Sequence, residues 1–205
     1  MATRRGLLYG AGLRLGLALG LGPLALGLGP LGCAGARAPS GEVGELQGRT
    51  VATPERLGWV SSEQPSGALP SAIALGGKAS GRVLVYFEFA APGETRRLAR
   101  AALLLATSGA PGAFIDVELS RAELPSAALR SWADQPRARY PRLTTRLPGD
   151  AESVRLDVTD LMRAEAKPGE PLRLLLRAEP GDAEPVLVST GAAGGAAPRL
   201  EAYWE

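Results

Sequence analysis

The sequence predicts an all-β domain, a sandwich or barrel, behind an N-terminal signal segment. Beyond residue 48 the chain consists of short apolar runs separated by glycine and proline, which is the pattern of such folds. Several runs alternate apolar and polar residues, as half-buried strands do. Only one stretch carries the start and stop signals of a helix, and no repeat of fixed period is present.

Residues 1–32 are predicted to be a signal peptide. Arg4 and Arg5 supply a positive start, and an acid-free stretch of Leu, Gly and Ala follows. Pro30-Leu31-Gly32-Cys33 resembles a bacterial lipobox, whose cysteine becomes the new N-terminus and carries acyl chains such as palmitate. A transmembrane helix and a soluble signal peptide are the alternatives. Arg14 and many glycines disfavour the helix, because an interior glycine costs up to about 1 kcal/mol.

Cys33 is therefore the predicted lipid attachment site, and the protein is expected on the membrane through this anchor. Cys33 is followed by Ala34 and not by Asp, which resembles the default of Gram-negative lipoproteins that are sorted to the outer membrane, so the outer membrane is the expected location. The general secretory and twin-arginine export routes both stay open, since Arg4-Arg5 suits either. Residues 27–32 also match G-x-G-x-x-G, but the strand and helix that a dinucleotide site needs are missing.

A tether over residues 33–48, rich in Gly, Ala, Pro, Ser and Glu, leads to a domain over 49–205. Val83, Val85, Phe87 and Phe89 are expected on one face of their strand. Ile115, Val117 and Leu119 alternate with Asp116 and Glu118, and Leu200, Ala202 and Trp204 alternate with polar neighbours in the same way. Ten strands are predicted, over residues 49–53, 71–75, 82–89, 98–107, 113–119, 127–132, 154–158, 172–178, 186–189 and 199–204.

One short helix is predicted after the strand at 154–158. Thr159 is expected to cap it, Asp160 suits its positive N-terminal end, and Pro168-Gly169 ends it. Asp157 and Asp160 flank the helix start, where capping is favoured over catalysis.

Composition narrows the function. The chain has no histidine and one cysteine, so the commonest general base, an internal disulfide and a cysteine-based zinc site are all ruled out. Three of the 23 basic residues precede Cys33, and the remaining 20 balance 21 acidic residues without a basic block, which argues against a nucleic-acid partner. We expect no enzyme, no metal and no cofactor. Asp116 and Glu118, about 6.6 Å apart along a strand, could form a carboxylate pair, but a solvated outer face is the favoured interpretation.

Seven segments in order resemble the DNRLRE-domain family, also called carbohydrate-binding module family 96. The segments are Arg82-Val83-Leu84-Val85-Tyr86-Phe87-Glu88-Phe89, Leu98-Ala99-Arg100-Ala101-Ala102-Leu103-Leu104-Leu105, Phe114-Ile115-Asp116-Val117-Glu118-Leu119, Ser131-Trp132-Ala133-Asp134-Gln135-Pro136, Leu156-Asp157-Val158-Thr159-Asp160-Leu161-Met162, Leu174-Leu175-Leu176-Arg177-Ala178 and Ala197-Pro198-Arg199-Leu200-Glu201-Ala202-Tyr203. The resemblance implies a jelly-roll-like antiparallel β-sandwich of a secreted protein, in some members polysaccharide-binding.

Polysaccharide binding requires exposed aromatic rings, on which the apolar face of a sugar stacks, and polar groups nearby that bind its hydroxyl groups. Trp59 and Tyr140 fall in loop-like contexts and are the candidate stacking platforms, whereas Trp132 is expected to fill the core. Arg137, Arg139 and Arg142 surround Tyr140 and could grip an acidic polysaccharide. The expected function is thus a non-catalytic, envelope-anchored β-sandwich lipoprotein that binds polysaccharide. The alternative is a structural or protein-interaction module that meets another envelope protein and has no glycan ligand.

Overall fold

The computed structural model describes residues 48–64, 67–91, 97–123, 125, 129–163 and 169–205. The predicted signal peptide, Cys33 and nearly all of the tether lie outside these residues. The described part contains one α-helix, α1 (Thr159–Arg163), and three 3-10 turns, at Lys78–Ser80, Trp132–Asp134 and Ala192–Gly194. Its strands are β1 (Gly48–Ala52), β2 (Arg56–Ser61), β3 (Ala72–Leu75), β4 (Val83–Phe89), β5 (Leu98–Leu105), β6 (Thr107–Ser108), β7 (Phe114–Ala122), β8 (Ala138–Pro148), β9 (Val154–Asp157), β10 (Leu172–Ala178), β11 (Val186–Ser189) and β12 (Arg199–Trp204).

Two antiparallel sheets form the layers of a sandwich. The first has the strand order β1-β12-β5-β9 and the second β2-β4-β10-β7-β8. Strands β1, β4, β5, β7, β8, β9, β10 and β12 occupy the eight positions of a jelly roll, in which the first strand pairs with the last and the chain crosses between the sheets. Strand β2 widens the second sheet. A small third sheet, β3-β11-β6, contributes Ile73, Leu75, Val186 and Val188 to the core.

The core lies between the two large sheets. It is formed by every second residue of the strands, because successive side chains of a strand point to opposite faces. Val83, Val85, Phe87 and Phe89 of β4 are all buried in it, and the rings of Phe87 and Phe89 stack at 6.4 Å between centroids. The inward residues of β7 and of β12 join the same core, as the alternation predicts. The sequence prediction of an all-β antiparallel sandwich with one short helix is confirmed.

A second, smaller apolar cluster lies on the outer face of the five-stranded sheet. Leu84, Tyr86 and Leu175 form it together with Val60 and Ala122, and the segment after β7 covers it with Leu129 and Trp132. All seven residues of β4 are therefore buried, because both of its faces are covered. Trp132 was expected to fill the core, but it is only half-buried and packs against this smaller cluster instead of the main core.

The structure corrects the strand assignment in four places. The single strand expected over residues 98–107 divides at Ala106 into β5 and β6, which belong to different sheets. Residues 127–132 were expected to form a strand. Residues 127 and 128 lie outside the described part, Leu129 and Arg130 belong to no strand, and Trp132 begins a 3-10 turn. Strands β2 and β8 were not predicted. Pro141, Pro148 and three arginines obscure the alternation of β8, and an edge strand tolerates such residues.

The start of α1 also differs from expectation. The helix begins at Thr159, whose side chain does not cap it. The Asp157 carboxylate accepts hydrogen bonds from the backbone N–H of Thr159 (2.9 Å) and from its hydroxyl (2.6 Å). The Thr159 hydroxyl oxygen in turn accepts from the backbone N–H of Ala101 (2.9 Å), so this residue ties the helix to β5. Asp157 therefore caps the turn, and the expectation of a capping role for that carboxylate is confirmed.

Candidate functional site

Strands β7 and β8 form the edge of the five-stranded sheet and present one face to solvent. They pair in register from Phe114 opposite Pro148 to Ser120 opposite Arg142. The odd-numbered residues of β7 point into the core, so its even-numbered residues face outward. Leu143 and Leu147 of β8 contact the core, which turns Arg142 and Arg146 to the same outer face.

Charged residues on this face are paired across the two strands. The Arg146 Nε lies 3.3 Å from Asp116 Oδ1, and the Arg142 Nη1 lies 3.5 Å from Glu118 Oε2. Asp116 and Glu118 thus lie on the solvated outer face, as the favoured interpretation of the sequence held. Each carboxylate has an arginine partner, and the two pairs together carry no net charge.

Two exposed aromatic rings lie beside these ion pairs. Tyr140 is 78% exposed and Phe114 is 47% exposed, although both are large and mostly apolar. The guanidinium carbon of Arg142 lies 5.1 Å from the centre of the Tyr140 ring, and that of Arg146 lies 4.1 Å from the centre of the Phe114 ring. Both distances are within the range of cation–π attraction. We call six residues of this face the β7–β8 platform: Phe114, Asp116, Glu118, Tyr140, Arg142 and Arg146.

The dimensions of the platform suit an extended ligand. Arg142 and Arg146 are four residues apart on one strand, which places their Cα atoms about 13 Å apart. Surface ion pairs contribute only about 0–1 kcal/mol each, so a ligand can draw the side chains away from their partners at small cost. The face therefore offers ring surfaces, N–H donors and carboxylate acceptors along one line.

The structure separates residues that the sequence grouped together. Two extra residues, Tyr140 and Pro141, bulge out of β8, so that Arg142 pairs with Ser120 and Arg139 with Arg121. Since neighbouring residues of β7 point to opposite faces, Arg139 and Arg142 lie on opposite faces of the sheet. Arg139 forms an ion pair with Glu123 at 3.3 Å, away from the platform.

The other candidates have separate surroundings. Arg137 is exposed just before β8 and lines a shallow hollow with Glu123 and Asp134. Trp59 is half-buried against the main core, not in a loop, and it lies on β2. Phe114 and Arg146 were missed as site residues, because only the register of the unpredicted strand β8 places them beside Tyr140 and Arg142.

A cleft of about 540 Å³ lies between the edge strands β8 and β9. Asp157, Thr159 and Arg163 line it, and all three have structural contacts. Hydrogen bonds from Thr159 hold the pKa of the Asp157 carboxyl below its ordinary value. Arg163 Nη2 donates to the carbonyl oxygen of Ala99 at 2.7 Å. No aromatic side chain is among the described residues lining this cleft, so the platform is the better candidate.

A scan against protein-family models finds no match for this chain, and a search of curated proteins finds no similar sequence. Within the described residues no helix is long and apolar enough to span a membrane. In the same part of the chain, no group of three carboxylate, histidine or cysteine side chains is arranged to hold a metal ion. The β7–β8 platform is therefore the feature from which a function can be inferred.

Proposed function

We propose that this protein is a non-catalytic polysaccharide-binding module, exported and held at the cell envelope by a lipid on Cys33, and that sugar chains bind along the β7–β8 platform. One observation carries the proposal. Two exposed aromatic rings lie on one outer sheet face, each beside an arginine that is itself paired with a carboxylate.

The chemistry of this face matches that of sugars. A pyranose has an apolar ring face, which stacks on Tyr140 and Phe114, and hydroxyl groups that both donate and accept hydrogen bonds. Arg142 and Arg146 supply donors, and their partners Glu118 and Asp116 supply acceptors. Because the platform is neutral as a whole, we expect it to favour uncharged chains over alginate or pectate. Acidic polysaccharides remain the sequence-based alternative, with Arg137, Arg139 and Arg142 as their contacts.

The sequence supplies the remaining support. The ordered resemblance to the DNRLRE-domain family agrees with a jelly-roll sandwich and with glycan binding, and the lipobox-like residues 30–33 support the anchor. Both features stay proposals for this chain. An outer-membrane location in a Gram-negative bacterium follows from Ala34 and belongs to the same proposal.

Affinity electrophoresis of the full chain in detergent gels tests the proposal. The gels carry xylan, a β-glucan, alginate or pectate, and binding slows migration. We expect at least one polysaccharide to retard the wild type, and the double variant Tyr140→Ala, Phe114→Ala to migrate freely. Val51→Ala is the matched control, because Val51 is a 46% exposed apolar residue on β1 of the other sheet.

Two single variants locate the contact more finely. Arg142→Gln should weaken retention, whereas Arg139→Gln on the opposite face of the same strand should not. Equal loss in both would support the arginine grip expected from the sequence instead of the platform. No retardation by any polysaccharide would favour the structural or protein-interaction module.

A further inference from the structure

The outer face of the four-stranded sheet, β1-β12-β5-β9, carries four exposed arginines. The neighbours of these arginines along each strand contact the core, which turns the arginines outward. The register of the strands arranges the residues of this face in three rows that cross the sheet. We call the residues of the rows the arginine face: Arg49-Tyr203-Arg100, Val51-Glu201-Ala102-Asp157 and Arg199-Leu104-Arg155.

Positive charge is in excess on the arginine face, because its four arginines face only two carboxylates. Both carboxylates are engaged by groups of the domain itself. Glu201 is only 5% exposed and accepts hydrogen bonds from Arg49 and Arg155. Asp157 accepts from the backbone N–H and the hydroxyl of Thr159. The groups that the face presents to solvent are therefore mainly guanidinium groups.

Arg100 and Arg199 account for the excess charge. Both are exposed, and neither forms an ion pair with another residue of the described part. The charged groups at the ends of these strands cancel as ion pairs, Arg97 with Glu205 and Arg163 with Asp160. The β7–β8 platform, on the outer face of the other sheet, is neutral as a whole. The two outer faces of the sandwich thus differ in charge.

Apolar and aromatic side chains lie between the arginines. Val51 is 46% exposed, and Leu104 and Tyr203 are half-buried. The guanidinium carbon of Arg155 lies 5.7 Å from the centre of the Tyr203 ring. Arginine binds phosphate oxygens with paired hydrogen bonds, and tyrosine rings favour the headgroup level of membranes. This combination matches a surface of anionic phospholipids.

The proposed lipid on Cys33 keeps such a surface within reach of the arginine face. Only residues 34–47 separate Cys33 from Gly48, where β1 begins, and a fully extended segment of this length spans about 50 Å. The next residue, Arg49, already belongs to the face. Because charges attract appreciably only within about 8 Å at physiological salt, this closeness is what allows the face to meet the headgroups.

We propose that the arginine face docks on acidic phospholipids of the membrane that holds the anchor. This inference rests on the lipid anchor of the proposed function. An arginine near an anionic membrane surface strengthens binding by roughly fivefold, so the two excess arginines favour the docked domain by about 25-fold. Docking turns the β7–β8 platform, on the opposite side of the sandwich, away from the membrane.

A fluorescent thiol label whose emission shifts to the blue in contact with lipid tests the proposal. The label is attached at Val51→Cys on the arginine face. Phe114→Cys is the matched control, because Phe114 is 47% exposed and lies on the opposite outer face. The protein is reconstituted from detergent into vesicles of phosphatidylcholine, or of equal parts phosphatidylcholine and phosphatidylglycerol.

We expect a blue shift at position 51 in the anionic vesicles only, and no shift at position 114 in either kind. The shift at position 51 should vanish in about 1 M salt, where the Debye length falls to about 3 Å.

Two charge variants in the Val51→Cys protein separate docking from net charge. Arg100→Gln with Arg199→Gln should abolish most of the shift and leave the melting temperature unchanged, because neither arginine forms an ion pair in the described part. Lys78→Gln with Arg82→Gln removes the same charge outside the four-stranded sheet and should leave the shift unchanged.

The anchor and the docking face fail in different ways. The wild type, treated with the same label, gives the background signal of Cys33. A wild type that takes up the label, or that does not float with phosphatidylcholine vesicles, would refute the anchor, and the shift at position 51 above that background would still decide the docking. An equal shift in neutral vesicles, no shift in anionic vesicles, or a shift that the folded variant Arg100→Gln, Arg199→Gln retains would overturn the proposal.

Discussion

Glu201 is a buried carboxylate that two arginines hold in place. It lies on the outer side of β12 and is only 5% exposed, although it belongs to the polar phase of the alternation. Arg49 from β1 and Arg155 from β9 both donate hydrogen bonds to its carboxylate. These two hydrogen bonds hold the pKa of Glu201 below its ordinary value, and the bond from Arg49 has the larger effect. The carboxylate thus ties the N-terminal strand and an edge strand to the centre of the sheet.

A depressed pKa makes the stability of the domain depend on pH. In the unfolded chain Glu201 has its ordinary pKa, so the stabilising effect is complete above that value and is lost as the pH falls through the lower, folded value. We expect Glu201→Gln to melt at a lower temperature than the wild type at neutral pH. The difference should shrink in acid, where both side chains are neutral. A difference that stays constant from neutral to acid pH would contradict this role.

Substitution of Phe87 tests which residues of β4 face the main core. Phe87 has no solvent exposure and stacks on Phe89 in the main core. Truncating a buried aromatic to alanine costs about 3–5 kcal/mol, against a typical total stability of about 5–15 kcal/mol. We expect Phe87→Ala to lower the free energy of unfolding by that amount in a denaturant titration. An unchanged midpoint would mean that Phe87 is not a core residue.

Among the secondary-structure elements, the sequence predicted the strands whose residues alternate clearly or form a short apolar run between turns. The strands at 172–178, 186–189 and 199–204 match β10, β11 and β12 to the residue, because alternation or short apolar runs bounded by turns define them. Strand β8 has neither signal. Its register against β7, the preceding strand, was therefore not predicted, and Phe114 and Arg146 were missed as site residues for that reason.

Several turns between these elements contain glycines in the left-handed conformation. Gly191 and Gly112 are two such glycines whose surroundings differ, so their alanine variants can be compared. Gly191 has φ of 84°, and a Cβ placed there would lie 2.9 Å from the Cα of Ala197. Gly112 has φ of 75° and nothing within 4 Å of such a Cβ. Alanine at either position pays about 1–2 kcal/mol for the backbone conformation, but only Gly191→Ala also meets a rigid neighbour.

We therefore expect Gly191→Ala to destabilise the domain by at least about 1 kcal/mol more than Gly112→Ala. Chemical denaturation of both variants measures the difference. Equal losses would show that the turn near Ala197 relaxes freely.

At the scale of the whole molecule, the jelly-roll order explains how the platform is built. The edge strand β8 pairs with β7 alone, so one of its sides stays open beside the exposed outer face. The neighbouring outer face is covered by Leu129 and Trp132, which confines the exposed aromatic rings to the edge. The resemblance implied the sandwich, but only the three-dimensional structure shows which side chains share the outer face.

The proposed lipid anchor also concerns the whole molecule. We expect Cys33→Ser to abolish membrane retention, because the acyl chains would lose their attachment atom. Fractionation of cells and labelling with palmitate measure this. A variant that stays in the membrane fraction and still takes up palmitate would refute the lipid anchor, and native protein found only in the inner membrane would refute the outer-membrane location alone.

Polysaccharide binding is the central claim, and a glycan-array screen of the full chain tests it most directly. We expect binding to at least one class of polysaccharide. Because the Arg–carboxylate pairs neutralise the platform, that binding should change little as the salt concentration rises. It should also be lost in the double variant Tyr140→Ala, Phe114→Ala while the melting temperature holds, since surface substitutions usually stay within about 0.5 kcal/mol. An array without a single bound glycan would mean that the protein does not bind polysaccharide, and binding that the double variant retains would mean that the platform is not the site.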